Sequence, residues 1–510
     1  MSAPASRTRI GARAIVRRFG PVIANDGIDF AAAPGTIHAI VGGNGAGKST
    51  LMRILQGVDR PDDGSVILDD REVRLTAPAD AFARGIGMVH QEFMLVDELT
   101  LLENLILARE PVHAGGVIDR RKALAEAERV AAMAGVTLDW QMRVADAPVH
   151  IRQILEILRL LYRGADVLIL DEPTAVLAPA QVRELIGLMR RLKAEGRTIL
   201  FISHKLDEVM NAADAITVIR RGRAIATVVP GETSKAKLSE MMVGEPIELP
   251  LVHPAAPHAG VPVLAIDTLV AHDGRGLPRL GPITLNLYPG EIVGIAGVAG
   301  NGQDELAAAA AGLGQIDAGS IRMDGRDITR ARTGSFRDLG IAYLSADRAG
   351  DGLCLAASIR DNFIAGSEHA PPFSQSGLLR LRAIREGARR ALDTLSVRYG
   401  AMGDPAKSLS GGNQQRVAIA REFERKPRVL IAAQPTRGVD IAGIAFIHRQ
   451  IVAFRDAGGA VLLISEELDE ILSLSDRIVG LYGGRITGEL DRSGASVERV
   501  GRLMLGEKAA

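Results

Sequence analysis

Short apolar runs alternate along this chain with longer stretches of helical period. Residues 36–41 form a β-branched run that ends in glycines, residues 167–170 end at Asp171, and residues 198–202 end at Ser203-His204. Stretches such as 121–134 and 179–195 carry the i, i+3, i+4 spacing of amphipathic helices. Apolar runs alternating with helices imply an α/β fold, a mostly parallel sheet with helices on its faces. In such a sheet the polar residues that follow the strands gather on one edge, where ligands bind. No window holds eighteen consecutive apolar residues. The opening MSAPASRTRIGARA lacks an apolar stretch of signal-peptide length. The expectation is a soluble chain that can still sit on a membrane partner.

The pattern repeats at long period. ISHKLDEV at 202–209 resembles ISEELDEI at 464–471, and MVGE at 242–245 resembles MLGE at 504–507; both pairs lie 262 positions apart. Nearer the start, Gly42 matches Gly297 at an offset of 255, so one half carries seven extra residues. Two similar halves mean duplicated domains, expected at 1–247 and 263–510. The stretch 248–262 between them is rich in proline, poor in charge and suited to a linker.

Composition narrows the partners. Lys+Arg and Asp+Glu both total 61 and aromatic residues make up 3%, which favours neither nucleic acid nor a base-stacking surface. The one cysteine, Cys354, forms no internal disulfide, which fits a reducing compartment. It reads as an ordinary core or surface residue.

The run Gly42, Gly43, Asn44, Gly45, Ala46, Gly47, Lys48, Ser49 fits the phosphate-binding loop pattern, after a strand and before the helical run that opens at Thr50. Its glycines let backbone N–H groups converge on phosphate oxygens, helped by the helix N-terminus. Lys48 is placed for the β- and γ-phosphates of ATP and Ser49 for Mg²⁺. After the run 167–170, Asp171 is placed to hold Mg²⁺ through water and Glu172 to take a proton from the attacking water. Gln91 could reach Mg²⁺ and that water, and His204 could reach the γ-phosphate. Phe19 could stack on adenine, with simple core packing an equal alternative.

These residues resemble the motifs of ABC ATPases: Walker A at 42–49, Q-loop at Gln91, Walker B at 171–174 and H-loop at His204. In the second half LSGGNQQRV at 409–417 resembles the ABC signature motif, with Ser410, Gly411, Gly412, Asn413 and Gln414 as its nucleotide-facing residues. The resemblance spans nearly the whole chain. It implies two tandem P-loop ABC ATPase domains, each with a β-subdomain and a helical subdomain, like the fused ATPase subunits of bacterial importers for simple sugars and nucleosides. YRGADVLILDEPTAVL at 162–177 and LIAAQPTRGVD at 430–440 resemble the nucleoside branch more. The same resemblance implies integral-membrane permease subunits as partners, a solute-binding protein indirectly, no nucleic acid, and a place on the cytoplasmic face of the membrane. The segments 91–147 and 346–407 are expected to meet the permeases.

Each half then tests the other. Lys48 and Ser49 become Gln303 and Asp304, Gln91 becomes Ala346, Asp171 and Glu172 become Ala433 and Gln434, His204 becomes Glu466, and Phe19 becomes Gly274. An amide is no general base, and a carboxylate repels phosphate. In reverse, Ser410, Gly411 and Gly412 become Pro148, Val149 and His150, and Asp440 becomes Ala178. In the head-to-tail pairing of ABC ATPases, each ATP lies between one domain's Walker motifs and the other's signature. The losses then sort into one complete site and one dead one. The competing reading, a ribosome-associated tandem ABC ATPase, expects two intact Walker sets and a long charged linker, and this chain has neither. A DNA-linked ABC ATPase expects a long coiled coil or zinc cluster, which the sequence also lacks.

Overall fold

The computed structural model describes residues 7–20, 22–90, 93–113, 115–174, 177, 179–203, 205–246, 260–272, 276–298 and 300–507. Gln91, His204, Ala178, Gly274 and nearly all of the stretch 248–262 lie outside them. Contacts divide the chain into two units, Met1–Ile247 and Glu248–Ala510.

In the first unit, a six-stranded sheet runs in the order Arg223–Val228, Ala215–Arg220, Ile37–Val41, Thr198–Ile202, Val167–Asp171, Ile86–Val89. All neighbours are parallel except the first pair. The central strand Ile37–Val41 is buried along its whole length. Strands covered on both faces read as continuous apolar runs, which is why the pattern here lacks alternation. A second, four-stranded antiparallel sheet joins Val22–Ala32, Ile10–Phe19, Asp63–Leu68 and Arg71–Val73. Ile10, Ile28 and Val66 from this sheet pack with Ile40 and Leu200 of the parallel sheet, around Leu51 and Leu55 of the helix Lys48–Leu55. The helix Arg120–Ala134 buries Ala123, Ala127 and Ala131 on one stripe, starts on the Asp119 side chain and stops at left-handed Gly135.

The second unit repeats this plan, with strand order Ile341–Leu344, Val429–Ala433, Ala460–Ser465, Ile292–Ala296, Arg477–Tyr482, Arg485–Asp491. The register refines two readings of the repeat. Ile10 pairs with Leu68 and Leu264 with Met323, so the first strand copies at 254 while its neighbour copies at 255. Phe19 therefore corresponds to Asp273, not Gly274; neither copy is aromatic, and both lie outside the described residues. The seven extra residues are also not one insertion. The cap Thr100 matches Ser358 at 258, the cap Asp119 matches Arg380 at 261, and the turn Val144–Asp146 matches Ala406–Ser408 at 262. The first three enter between the strand Ile86–Val89 and the cap Thr100. Among the described residues, no helix is long and apolar enough to cross a membrane.

Candidate nucleotide-binding site

The strands Ile37–Val41, Thr198–Ile202 and Val167–Asp171 are neighbours, so the loop at 42–49, Asp171-Glu172 and Ser203 leave the sheet at one edge. The loop can turn there because its glycines stand where a side chain would not fit. A Cβ on Gly42 would overlap the Ile219 carbonyl oxygen, and one on left-handed Gly47 the Ala24 carbonyl oxygen. Buried Asn25 donates from Nδ2 to the Gly47 oxygen at 3.0 Å and fastens the loop where the helix Lys48–Leu55 begins. Sequence reading passed over Asn25, because an asparagine in a strand carries no motif.

Lys48 is 7% exposed, and its ammonium donates to the Gly42 and Gly43 carbonyls at 2.7 and 3.0 Å. Burial, and then the charge of Glu172, push Asp171 up to about 6, against the opposing pull of Lys48. Glu172 has a left-handed backbone, φ 48°, its N–H bonded to the Ile202 oxygen at 3.0 Å. For a residue with a Cβ this is a strained conformation, held by the strand ends around it. Beyond it, Thr174 donates from Oγ1 to Glu208 Oε2 at 2.5 Å, and Ser203 donates to the same oxygen at 3.3 Å. A buried carboxylate thus ties the loop after Glu172 to the end of the next strand. Glu208 lies in LDEV, a stretch used only to align the halves. Phe19 is 46% exposed with the Arg17 guanidinium 4.7 Å from its ring centre, which removes core packing as its explanation.

The second unit keeps these shapes with other groups in them. Gly302 and Gly47 have φ of 101° and 104°, and Gln434 and Glu172 have φ of 46° and 48°, so the copies coincide. Gln303 stands where Lys48 does. Its Nε2 donates to the Val298 oxygen at 2.8 Å, and its Oε1 accepts the Asn301 N–H at 2.9 Å. The loop is closed on itself by a neutral amide that takes up one of the N–H groups between the glycines. Leu280 replaces Asn25, and Glu470, the copy of Glu208, meets His448 Nε2 at 2.8 Å.

At the other motif, Ser410 caps the helix Gly411–Glu424 with φ −64° and ψ 156°. Its Oγ accepts from Asn413 Nδ2 at 2.9 Å, and Gln414 Nε2 reaches back to the Leu409 oxygen at 3.2 Å. The place above Gly412 is open, the nearest atom to an added Cβ being a Val439 methyl at 3.9 Å. Pro148, with φ −56° and ψ 151°, holds the same cap on the helix Val149–Tyr162. It has no hydroxyl, and His150 fills Gly412's place, 3.1 Å from Gln181. Both sets of departures expected between the halves therefore sit at equivalent positions, outside the residues not described.

The comparison with known proteins now decides the family. A family model described as ABC transporter matches residues 25–175 and 280–437, once in each half. The chain belongs to the ABC transporter family. It is 42% identical over 492 residues to the nucleoside import ATP-binding protein NupA of Lactococcus lactis, across 96% of this chain and 97% of that one. It is also 42% identical over 492 residues to the guanosine import ATP-binding protein NupO of Bacillus subtilis, covering 96% of each. A ribose import ATP-binding protein of Rubrobacter xylanophilus is 38% identical over 98% of both chains. The chain is thus a fused double-cassette ATP-binding subunit of the importer kind, similar to its nucleoside branch, and an ATPase.

Proposed function

We propose that this subunit energises import of a small polar solute, a nucleoside first among them, through integral-membrane permease subunits fed by a solute-binding protein, with one hydrolytic site per chain. The relatives named for nucleoside and guanosine import support the solute class. The relatives named as import ATP-binding proteins support placing the chain against permeases on the cytoplasmic face of the membrane. None of the relatives named above is a translation factor, so the ribosome reading gains no support.

The observation that carries the single-site reading is the opposite sorting of the losses. The first domain holds Lys48, Asp171 and Glu172, and the second holds the open Ser410 cap; Gln303, Ala433, Gln434 and Pro148 occupy the complementary places. ATP phosphates would take over the Lys48 ammonium from the Gly42 and Gly43 carbonyls. Ser410 and Gly412 of the second domain would close over the γ-phosphate. Glu172 would accept the proton of the attacking water, and His204 and Gln91 would complete the set. The Ser49 hydroxyl and the Asp171 carboxylate, with Gln91, suit Mg²⁺. Burial and the charge of Glu172 raise Asp171 to about 6 against the pull of Lys48, so a further cation would be welcome there, and oxygen donors fit a hard one. The ion would supply charge neutralisation at the phosphates.

The experiment is Ser410→Arg in the complex with its permeases. Hydrolysis should vanish although every Walker residue of the first domain remains. Unchanged hydrolysis would refute the composite site.

A further inference from the structure

The second domain carries a half-buried cation that the motifs do not use. Arg348 lies in the segment between the strand Ile341–Leu344 and the cap Ser358, three residues longer than its copy, on a π-type turn, Arg348–Gly352. The turn is closed on Asp347, whose carboxylate accepts the Gly350 N–H at 2.8 Å and whose carbonyl accepts the Gly352 N–H at 2.9 Å. This directs the half-buried Arg348 guanidinium to the first turn of the helix Gly411–Glu424, where Nη1 donates to the Gly411 oxygen at 3.0 Å. Its other nitrogen fills the space beside two glycines. A Cβ added to Gly411 would stand 3.3 Å from Nη2, and one added to Gly438 would stand 3.4 Å from it. Gly438 belongs to the loop between Gln434 and Asp440, which leaves the parallel sheet. Arg348 therefore bonds the start of the signature helix and leaves no room for a side chain larger than hydrogen on the sheet's own exit loop without close packing. The far end of the helix is tied to the same turn, Arg421 Nη1 donating to the Gly352 oxygen at 2.8 Å.

A cation beside the N-terminus of a helix opposes the helix dipole, burial lowers the pKa of Arg348, and among the described residues no carboxylate forms an ion pair with it. Such a placement needs a reason other than charge pairing. The first domain shows the contrast. Its segment 93–99, FMLVDEL, contains no basic residue, and Val149 at the position of Gly411 is 41% exposed. The bond from Arg421 has its copy there, Arg159 Nη1 donating to the Met94 oxygen at 2.6 Å; among the described residues the bond from Arg348 is found only in the domain whose signature is intact.

We infer that Arg348 is a positioning residue that locks the signature helix to the sheet of its own domain, presenting Ser410 and Gly412 preorganised without a nucleotide in that domain. In the first domain the corresponding segment begins at Gln91, which responds to ATP and Mg²⁺ under the proposed function. In the second, a permanent bond replaces that response. The inference rests on the composite-site reading, in which Ser410 acts on ATP held by the first domain. Holding reacting groups in place lowers the barrier, and a displacement of about 1 Å can cost on the order of 100-fold in rate.

The test uses the full chain assembled with its permeases. Arg348→Ala should lower kcat by about 10-fold or more. Equilibrium binding of a fluorescent ATP analogue without Mg²⁺, which reports the first domain's loop alone, should stay within about 2-fold, where 10-fold would be 1.4 kcal/mol. Arg348→Lys, which keeps one donor and the charge, should recover part of kcat. Wild-type kcat in Arg348→Ala would overturn the inference, as would equal losses of kcat and nucleotide binding in both variants. Ser410→Arg run beside them separates the failures. If it abolishes hydrolysis while Arg348→Ala does not change it, only the clamp fails; if Ser410→Arg is fully active, the composite site fails and takes the clamp with it.

Discussion

The loops at 42–49 and 297–304 follow the same strand, turn through glycines of nearly equal φ and open helices of equal length. One ends in a cation folded over two carbonyls that a phosphate could displace. The other ends in an amide that has already satisfied its loop, with a carboxylate next to it. Shape alone therefore does not make a phosphate site. The backbone cradle persists through duplication because the surrounding strands still pack on it. The charge at its end differs between the two copies, and on the single-site reading that difference decides which of them turns over.

The comparison can be broken first at the carboxylates. Glu172→Gln should cut hydrolysis by on the order of 10²–10⁴-fold, the usual worth of a positioned base. Gln434→Glu should stay within about 2-fold of wild type, since Ala433, Gln303 and Pro148 still leave that side incomplete. Equal effects of the two would show the sites to be equivalent. A smaller effect is expected at the loops themselves. Lys48→Gln, copying Gln303, should weaken ATP binding by about 10-fold or more, because charge-assisted bonds to phosphate are about twice as strong as neutral ones. Gln303→Ala should leave ATP turnover unchanged, as measured by steady-state phosphate release.

Further from the chemistry, Asn25→Leu copies Leu280 and removes the tether on Gly47. The KM for ATP should rise several-fold, in line with about 1 kcal/mol for one hydrogen bond, while Glu172-dependent hydrolysis persists. The smallest functional effect belongs to His38. It lies buried in the strand Ile37–Val41 with its Nε2 2.7 Å from Thr217 Oγ1, and burial pushes it down to about 4. The second domain has Val293 in that place. A depressed pKa gives stability that is complete above the unfolded value of 6.5 and is lost as pH falls toward 4, by up to about 3 kcal/mol. His38→Val should leave activity at neutral pH unchanged and flatten the acid limb of the first domain's denaturation, followed by calorimetry between pH 7 and pH 4.

What could be read in the sequence was what local spacing fixes. The loop at 42–49, the pair Asp171-Glu172 after an apolar run, and the cap at Ser410 each depend on residues adjacent in the chain. The repeat made their copies readable too, since strands buried on both faces tolerate no slip. The reading failed where registers change outside those strands, as at Phe19, whose strand copies one residue short. It also missed bonds between distant residues: Asn25 to Gly47, Thr174 to Glu208, and Arg348 to Gly411, 63 positions away. None of these residue types announces its partner. The left-handed backbone of Glu172 was equally hidden, because its residue type gives no hint of strain.

The most direct test of one hydrolytic site per chain is the stoichiometry of nucleotide trapped by vanadate, which captures ADP only where ATP has been cleaved. In the complete transporter, with a photoreactive ATP as substrate, the account predicts one trapped nucleotide per double-cassette chain, crosslinked within the first domain around residues 42–50. Two trapped nucleotides per chain, or label on residues 297–304, would contradict it.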